Sequence, residues 1–440
     1  MHALLERVGL GRPDLRAWAM YDWANSAFQT TIIAAVFPIY YRDVAAAGLD
    51  PVVADSRFAW ATTIAILVVA IVAPLLGAAA DYAAIKKRLL AVFLAIGVMA
   101  TGAMYWIQRG DWQLALVLFV IGNVGVAGSV VFYESLLPHL VGEKDLDRVS
   151  SAGYAIGYLG GGVLLAINAV VIMYPQAFGF PDAGVATRAS LASVAVWWLA
   201  FSIPLFLRVP EPPPRIEADG RPGASALATS VRRLLETFRE LRRYRQAFLL
   251  LLAFFLYNDG IQTIIRMASL YGASVGIDRG KLILALLVTQ FVGVPFAFLF
   301  GAFAGRIGAK RAVFVGLAVY ALITVLAYYM TTTTHFFALA FLVGMVQGGT
   351  QALSRSMFAS MIPRHKSSEF FAFFGVFERY AGILGPAIFG YVVLTTGTSR
   401  NAILSIVGFF VVGAFILTFV DVDAGRRAAR AAEADVLQAG

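Results

Sequence analysis

Apolar runs of about 20 residues recur along the whole chain and limit what it can fold into. A lipid hydrocarbon core needs about 20 residues of helix to cross it, and helices satisfy their own backbone hydrogen bonds there. The runs lack the short alternation of barrel strands. We therefore expect an all-α integral membrane protein with twelve transmembrane helices. The approximate spans are 17–41, 57–80, 88–108, 112–137, 152–174, 188–207, 247–271, 281–304, 311–331, 335–361, 370–395 and 401–420.

Composition excludes several classes of protein. Of 440 residues, 60% are hydrophobic and 14% are charged, whereas soluble domains carry about 25% charged residues. Cysteine is absent, and no two of the four histidines have the spacing of metal ligands, so we expect no disulfide, metal or cofactor. The sequence has no GxxxxGK[ST] motif, and none of its histidines lies deep within a predicted span, which argues against an ATP-driven machine and against an enzyme.

Basic residues concentrate in alternate loops. With the N-terminus inside, cytoplasmic segments hold 25 of the 35 Lys and Arg residues, outer loops hold seven, and Arg266, Arg355 and Arg379 lie within spans. This bias predicts that the N- and C-termini are both cytoplasmic, and it explains the net charge of +9 without a nucleic-acid partner. The excess of 29 Arg over 6 Lys favours a bacterial inner membrane, by compositional association.

One long linker separates the sixth span from the seventh. It begins VPEPPP, passes through GRPGAS and ends in SVRRLLETFRELRRYR. The last stretch has one apolar and one arginine-rich face, which predicts a basic amphipathic helix on the inner membrane surface; the alternative is a charged connector without lipid contact. The predicted domains are an N-terminal six-helix bundle (1–208), the linker (209–245), a C-terminal six-helix bundle (246–425) and a cytoplasmic tail (426–440).

The two halves repeat one polar pattern. A spacing of i, i+3 and i+7 occurs in the first and seventh spans, in Asp22, Asn25 and Gln29 and again in Asp259, Gln262 and Arg266. Residues at this spacing share a helix face. Two six-helix halves joined by a cytoplasmic linker are typical of a two-bundle transporter. We expect the two polar stripes to face each other across a central cavity.

Several short motifs are more specific than the repeat. They are YDWANSAF (21–28), PLLGAAADYAAIKKR (74–88), VFYESLLP (131–138), GYAIGYLGGG (153–162), YNDGIQT (257–263), QALSRSMFASMIP (351–363) and EFFAFFGVFERYAGILGP (369–386). Together they resemble the major facilitator superfamily, and within it the unknown-major-facilitator family, to which the autophagy-related vacuolar amino-acid effluxers belong. The resemblance covers most of the chain. It implies the major facilitator fold, alternating access and transport of small organic solutes, with amino acids favoured.

The chain departs from the family pattern at three positions. Glu134 stands where the family commonly has an amide, Glu378 adds an acid beside the expected Arg379, and Gly305 replaces the acid of the second GxxxD motif. These departures concern coupling chemistry and leave the fold expectation unchanged.

Asp22 and Asp259 are the main candidates for a functional carboxylate. A charge at mid-bilayer costs roughly 3 kcal/mol or more, so each should face the bundle interior or water. Asp22 binds a cationic substrate group or a proton, or else it locks the first span to a neighbour. Asp259 has the same functional alternative or forms a buried ion pair with Arg355 or Arg379. Arg266 lies about 10 Å along its own helix and cannot pair with it.

Other polar residues complete the candidate site. Arg355 and Arg379 are natural hosts for a substrate carboxylate, and Tyr21 and Tyr257 are candidate gates or substrate stackers. The full substrate- or proton-binding set is Tyr21, Asp22, Asn25, Gln29, Tyr257, Asn258, Asp259, Gln262, Arg266, Arg355 and Arg379.

A second set lies at predicted cytoplasmic helix junctions. Asp81 with its following basic residues matches the loop after the eighth span, and capping and charge pairing there would latch the two bundles in one state. The predicted latch consists of Gly77, Asp81, Lys86, Arg88, Glu134, Gly301, Arg306, Lys310 and Arg311.

The sequence thus predicts a secondary active transporter of a small, amino-acid-like solute that works by alternating access, proton-coupled and an exporter. Two alternatives stay open: efflux of amphipathic or cationic compounds or lipids, and a membrane sensor or scaffold that does not transport. The expected partners are a small-molecule substrate, a proton or other coupling ion and the lipid bilayer. We expect a monomer that binds no nucleic acid.

Overall fold

The structure is a computed structural model of the chain. It describes residues 5–6, 9–83, 85–141, 143–212, 239–363, 370, 374–375, 377–378 and 380–439. Within the helices it describes backbone but not side chains at a few further stretches, the longest being 70–83. All regular structure in these residues is helical.

The α-helices follow one another closely along the chain. They are α1 (Pro13–Ala27), α2 (Val36–Tyr40), α3 (Pro51–Ala83), α4 (Lys86–Ala103), α5 (Trp112–Leu140), α6 (Glu143–Met173), α7 (Ala183–Arg208), α8 (Arg245–Ser274), α9 (Arg279–Ile307), α10 (Ala309–Tyr328), α11 (Thr333–Ser360), α12 (Leu384–Thr396), α13 (Ser399–Ser405), α14 (Val407–Thr418) and α15 (Val422–Ala439). Short 3-10 helices occupy Met104–Trp106 and Pro175–Phe178.

Nine helices in the described residues are long and apolar enough to cross a membrane. They coincide with nine of the predicted spans. At the other three positions lie an interrupted helical run from Pro13 to Ala45, the helix α9, and α12, which is apolar but shorter. The all-helical class is confirmed, whereas the count of twelve spans and the cytoplasmic position of the termini stay predictions.

The first predicted span is not a uniform α-helix. α1 begins with Pro13 in its first turn, where the missing N–H costs nothing. It passes into π-helix at Phe28–Ala35, returns to α-helix in α2 and becomes π-helical again at Tyr41–Ala45. A π-helix closes i→i+5 hydrogen bonds and so has more residues per turn than an α-helix. The uniform helical spacing assumed for this span therefore ends at Phe28.

The chain divides into two compact units. Unit 1 contains Met1–Ala54, Ile64–Ser230 and Arg279–Leu287, and unit 2 contains Asp55–Thr63, Val231–Asp278 and Val288–Gly440. The main division falls within the predicted linker. In addition, Asp55–Thr63 of α3 groups with unit 2, and the first turns of α9 group with unit 1. The sequence did not predict this exchange.

Polar contacts hold both exchanged segments in their units. In unit 1, the Nε of Arg279 donates to the Oδ2 of Asp43 at 2.6 Å. In unit 2, the hydroxyl of Ser399 donates to the Oδ2 of Asp55 at 2.7 Å, and the hydroxyl of Ser56 donates to the carbonyl of Gly390 at 3.0 Å. Asp55, Ser56 and Ser399 are all buried.

Each unit uses the same packing pattern. In unit 1, α1 packs on α6 and α7, and α4 packs on α5 and α7. In unit 2, α8 packs on α12 and α14, and α10 packs on α11 and α14. The polar repeat seen in the sequence therefore corresponds to a repeat of helix packing.

Two predicted segments lie outside these helical cores. The amphipathic helix predicted near 231–243 falls mostly outside the described residues, so it stays a prediction. The predicted tail at 426–440 is part of α15, whose Arg426 donates to the Ser360 hydroxyl at 3.3 Å. Ala429 of α15 is buried, so this helix rests on unit 2 along one face.

Candidate functional site

Asp22 lies on α1 in unit 1 and accepts a hydrogen bond from one neighbouring side chain. The hydroxyl of Tyr133, on α5, donates to the Oδ2 of Asp22 at 2.8 Å. The carboxylate is partly buried, and no basic side chain among the described residues forms a salt bridge with it. A partner that is neutral leaves the charge of Asp22 uncompensated.

Aromatic rings fix the Tyr133 side chain. Its ring lies 4.7 Å from the ring of Trp18 and 4.7 Å from that of Tyr21, centroid to centroid. Trp18 also donates its indole N–H to the Tyr133 carbonyl at 3.3 Å. The hydroxyl that reaches Asp22 is therefore held by a packed cluster in which all three rings are buried.

Glycines of α6 let that helix approach the carboxylate. A Cβ built on Gly153 would lie 2.7 Å from the Oδ2 of Asp22, and one on Gly157 would lie 2.7 Å from the hydroxyl oxygen of Ser26. A side chain at either position would displace these groups. The motif GYAIGYLGGG (153–162) of α6 thus lies directly against the polar part of α1.

The other candidates of the first span have different environments. Asn25 is buried, whereas Gln29 is exposed and lies in the first turn of π-helix. The stripe predicted from α-helical spacing is therefore not uniform, because the helix changes type at Phe28. The ring of Tyr21 has no exposed surface, and a ring so enclosed cannot stack on a solute in this conformation.

Asp259, on α8 in unit 2, is fully buried and caps a helix. Its Oδ1 accepts the backbone N–H of Gly385 at 2.7 Å, and its Oδ2 accepts that of Leu384 at 3.1 Å. Both N–H groups belong to the first turn of α12, where an α-helix has no intrahelical acceptors for them. The carboxylate therefore compensates the free donors of another helix, a contact that the sequence did not predict.

The break that exposes these donors has a local cause. Gly382 has φ +103°, a conformation that side chains disfavour, and α12 begins two residues later. Gly385 also allows close approach, because a Cβ there would overlap the Thr263 hydroxyl and lie 2.7 Å from the Oδ1 of Asp259. The start of α12, within the helix predicted over 370–395, is therefore fixed by this break.

The two residues that precede Asp259 on α8 also form polar contacts with other elements. The hydroxyls of Tyr257 and Ser354 lie 2.5 Å apart, and Tyr257 is fully buried. Asn258 accepts from the Gln351 amide at 3.0 Å and donates to the Glu378 carbonyl at 3.4 Å. These contacts connect α8 to α11 and to the segment before α12.

The predicted arginines have unequal environments. The Nη2 of Arg355 lies 2.6 Å from the Oε2 of Glu378, so this guanidinium already has a carboxylate. The Nε and Nη1 of Arg266 are buried without a hydrogen-bond partner among the described residues. Gln262, one turn before Arg266, is partly buried. Arg379 lies outside the described residues.

Two lysines of the basic junctions have equivalent contacts in the two units. The Nζ of Lys87 donates to the carbonyls of Phe206 and Val209 at 3.0 and 2.6 Å, at the end of α7. The Nζ of Lys310 donates to the carbonyls of Thr418 and Val420 at 3.1 and 2.6 Å, at the end of α14. Lys310, a predicted latch residue, thus caps a helix within its own unit.

The remaining latch candidates have other environments. Lys86 is buried with its Nζ 3.1 Å from the Nε2 of His139. Glu134 is partly buried, and Arg88, Arg306 and Arg311 are exposed. Gly77 and Asp81 lie near the end of α3 and Gly301 lies in α9, at positions where the structure describes the backbone alone. The latch stays a prediction.

Sequence reasoning missed several residues of these clusters. Tyr133, Gln351 and Gly385 each contact a predicted candidate directly. All three lie within the motifs that carry the family resemblance, in VFYESLLP, QALSRS and AGILGP. The signal was therefore present, but spacing along one helix does not identify a partner on another.

Comparison with known sequences identifies the family. The family described as "Vacuole effluxer Atg22 like" matches residues 51–430. The uncharacterized MFS-type transporter YxiO of Bacillus subtilis is 36% identical over 406 residues, which cover 92% of this chain and 94% of that protein. Autophagy-related protein 22-1 of Penicillium rubens is 25% identical over 496 residues, which cover 91% and 82%.

Solved structures agree on the fold. A point mutant of the nucleoside transporter NupG superposes with a TM-score of 0.67 at 15% identity, covering 92% of this chain and 99% of that one. A D-xylose-proton symporter superposes with a TM-score of 0.66 at 15% identity, covering 94% and 98%. At such identities the likeness concerns the fold alone.

These matches confirm the resemblance found in the motifs and the expectation of a transporter instead of an enzyme. They also agree with the nine apolar helices found in the described part of the chain, as in a multi-pass membrane protein. The chain is therefore a member of the Atg22-like vacuole effluxer family, within the major facilitator superfamily.

Proposed function

We propose that the chain is a secondary active transporter that couples movement of a small amino-acid-like solute to a proton, by alternating access. The observation that carries the coupling is the contact between Asp22 and Tyr133, in which a carboxylate inside the membrane has a neutral hydroxyl for its partner. Family membership supports transport, and the resemblance to amino-acid effluxers favours the substrate class.

Asp22 has the properties that a proton-binding group needs. Charge inside the membrane is costly without a cationic partner, and Asp22 forms no salt bridge with the described residues. Binding a proton removes that charge while the carboxyl group keeps its hydrogen bond to Tyr133. Asp22 can thus change charge without losing its position, which suits a site that alternates between two states.

The cellular setting is part of the proposal. We place the chain in a bacterial inner membrane as a monomer with cytoplasmic termini, on the distribution of basic residues and the excess of arginine. Export is the proposed direction, because the family is described as effluxers.

The proposal is tested by uptake into proteoliposomes. Purified protein is reconstituted, and each proteinogenic amino acid is supplied in radiolabelled form, with and without an imposed pH gradient. We expect at least one amino acid to accumulate when the gradient is present. In Asp22→Asn, which keeps the side-chain size, gradient-driven accumulation should fall to the level of empty liposomes.

Two results would contradict parts of this proposal. Accumulation that is equal in Asp22→Asn and wild type would remove Asp22 from the coupling. Absence of uptake for every amino acid would exclude the amino-acid class, and cationic amphipathic compounds would then be tested in the same liposomes.

A further inference from the structure

We infer that Arg266 is the carboxylate-binding residue of unit 2, and that the transported solute carries a carboxylate which this guanidinium binds. The inference rests on the proposed transport function but specifies the ligand chemistry and the residue. Within the predicted binding set it selects Arg266 over Arg355, which the sequence analysis favoured as the host for a carboxylate.

Arg266 carries buried donors that lack acceptors. Its Nε and Nη1 have no hydrogen-bond partner within the described part of the chain. A guanidinium has five N–H donors in a planar arrangement, and a buried donor without an acceptor is destabilising. Such an arrangement is stable in a folded protein when a ligand or water supplies the acceptors in at least one working state.

The nearest acid on α8 does not supply them. Asp259 lies seven residues before Arg266, about 10 Å along the helix axis. Both oxygens of Asp259 accept backbone N–H groups, those of Gly385 and Leu384. The carboxylate is held at α12 and is not available to the guanidinium.

Arg355 differs because its partner is part of the protein. Glu378 lies 2.6 Å from its Nη2, so a substrate carboxylate would have to displace a carboxylate already in place. Of the two described arginines within predicted spans, Arg266 is therefore the one whose N–H donors an incoming anion would supply with acceptors.

The face of α8 that carries Arg266 also carries other polar side chains suited to a carboxylate ligand. Asn258, Gln262 and Arg266 are spaced at i, i+4 and i+8, which places them along one side of the helix. Asn258 is buried and bonded to Gln351, whereas Gln262 and Arg266 keep part of their surface exposed. An amide and a guanidinium one turn apart offer adjacent donors, as a carboxylate requires.

The ligand class follows from this donor set. A guanidinium binds a carboxylate through two parallel N–H···O bonds, and this geometry distinguishes it from an ammonium group. We expect compounds with a free carboxylate to bind, and the corresponding amides and decarboxylated amines to bind weakly or not at all.

Ligand binding to the purified full chain tests the inference without requiring flux. Thermal unfolding in detergent is measured with each amino acid in turn, and the compound that stabilises most is compared with its amide and its amine. In Arg266→Gln we expect that compound to bind about 10- to 100-fold more weakly, for the loss of charge-assisted hydrogen bonds. Arg266→Lys should recover part of the affinity, because it restores charge but not the planar pair of donors.

The matched control is Arg355→Gln combined with Glu378→Gln, which removes an arginine without changing net charge. This variant should bind the acid within about 3-fold of wild type, since in the wild type the two side chains pair with each other and not with the ligand.

Thermal unfolding without ligand gives a second readout of the role of Arg266. Removal of one member of a buried ion pair strongly destabilises a protein. Arg266 forms no ion pair within the described part of the chain, so Arg266→Gln should leave the midpoint equal to or above that of wild type.

The outcomes separate this inference from the proposed function. Arg266-dependent binding of acids in a chain that moves no solute would support the subsite and contradict transport. Transport that persists in Arg266→Gln with unchanged affinity would overturn the subsite and leave transport intact. Equal binding of acid, amide and amine, a lack of binding by every acid, or marked destabilisation of unliganded Arg266→Gln would each overturn the inference.

Discussion

Asp22 and Asp259 occupy matching places in the two units and yet have different surroundings. Each lies on the first predicted span of its half, follows a tyrosine closely and lies against a glycine of the fifth span, Gly153 or Gly385. Asp22 accepts the hydroxyl of Tyr133. Asp259 accepts two backbone N–H groups and is fully buried.

The difference comes from the fifth span of each half and not from the acids. In unit 1, α6 runs without interruption from Glu143 to Met173, so it has no free donors beside Asp22. In unit 2, the chain turns at Gly382 and α12 begins with free N–H groups beside Asp259. A helix break thus brings backbone donors to Asp259, whereas the unbroken α6 brings none to Asp22. Repeated sequence spacing therefore does not imply repeated hydrogen-bond surroundings.

Asp259→Asn should have the largest effect on stability and so tests the difference between the two acids most directly. An amide can accept one of the two N–H groups but presents its own donors to the other, so we expect the free energy of unfolding to fall by about 1–3 kcal/mol. Denaturant titration in detergent measures this change. Gradient-driven uptake per folded protein should be retained, in contrast to Asp22→Asn, which should lose uptake at nearly unchanged stability.

The opposite pattern would break the comparison. If Asp259→Asn abolished gradient-driven uptake while its stability matched wild type, Asp259 would belong to the coupling and its cap contacts would be incidental.

A smaller effect is expected from Tyr133→Phe, with Tyr257→Phe as the matched control. The first change keeps the ring stack with Trp18 but removes the donor to Asp22. A hydrogen bond to a charged group contributes about 1.5 kcal/mol or more, so uptake should slow about 10-fold. Tyr257→Phe removes a bond between neutral hydroxyls, and uptake should change less than about 2-fold. Equal slowing in both variants would mean that the two hydroxyls act through packing alone.

The smallest effect concerns the two capping lysines. Lys87→Met and Lys310→Met each remove a cation from the carbonyls at a helix C-terminus. Each should lower the free energy of unfolding by about 0.3–1 kcal/mol, and by a similar amount in both units. Exposed Arg88→Met and Arg311→Met serve as controls and should change it less. A slower transport cycle in Lys310→Met at unchanged stability would instead favour the latch.

Much of the fold could be predicted because apolar length and periodicity act locally. The boundaries of α5 (Trp112–Leu140) and α8 (Arg245–Ser274) lie within three residues of the predicted spans. The π-helical segments were not predicted, because the residues of Phe28–Ala35 are of types that α-helical spans also contain. The exchanged segments were not predicted either, since grouping depends on contacts between residues far apart in sequence.

The site was predictable in its charged residues but not in their partners. Charge in an apolar run marked Asp22, Asp259 and Arg266 from the sequence alone. The cap on Asp259 could not be predicted, because it depends on the positive φ of Gly382 and on N–H groups brought from α12. Likewise, the sequence showed Glu378 beside Arg379, whereas in the folded chain it pairs with Arg355.

The exchange of short segments between the units has a consequence for biogenesis. Unit 1 includes Arg279–Leu287, so it lacks part of its packing until the ribosome has passed the start of α9. Unit 2 includes Asp55–Thr63, made long before the rest of that unit. Neither half completes its packing from its own stretch of sequence alone. Separate expression of the two halves, cut in the linker, would therefore leave each fragment without a segment that the other one encodes.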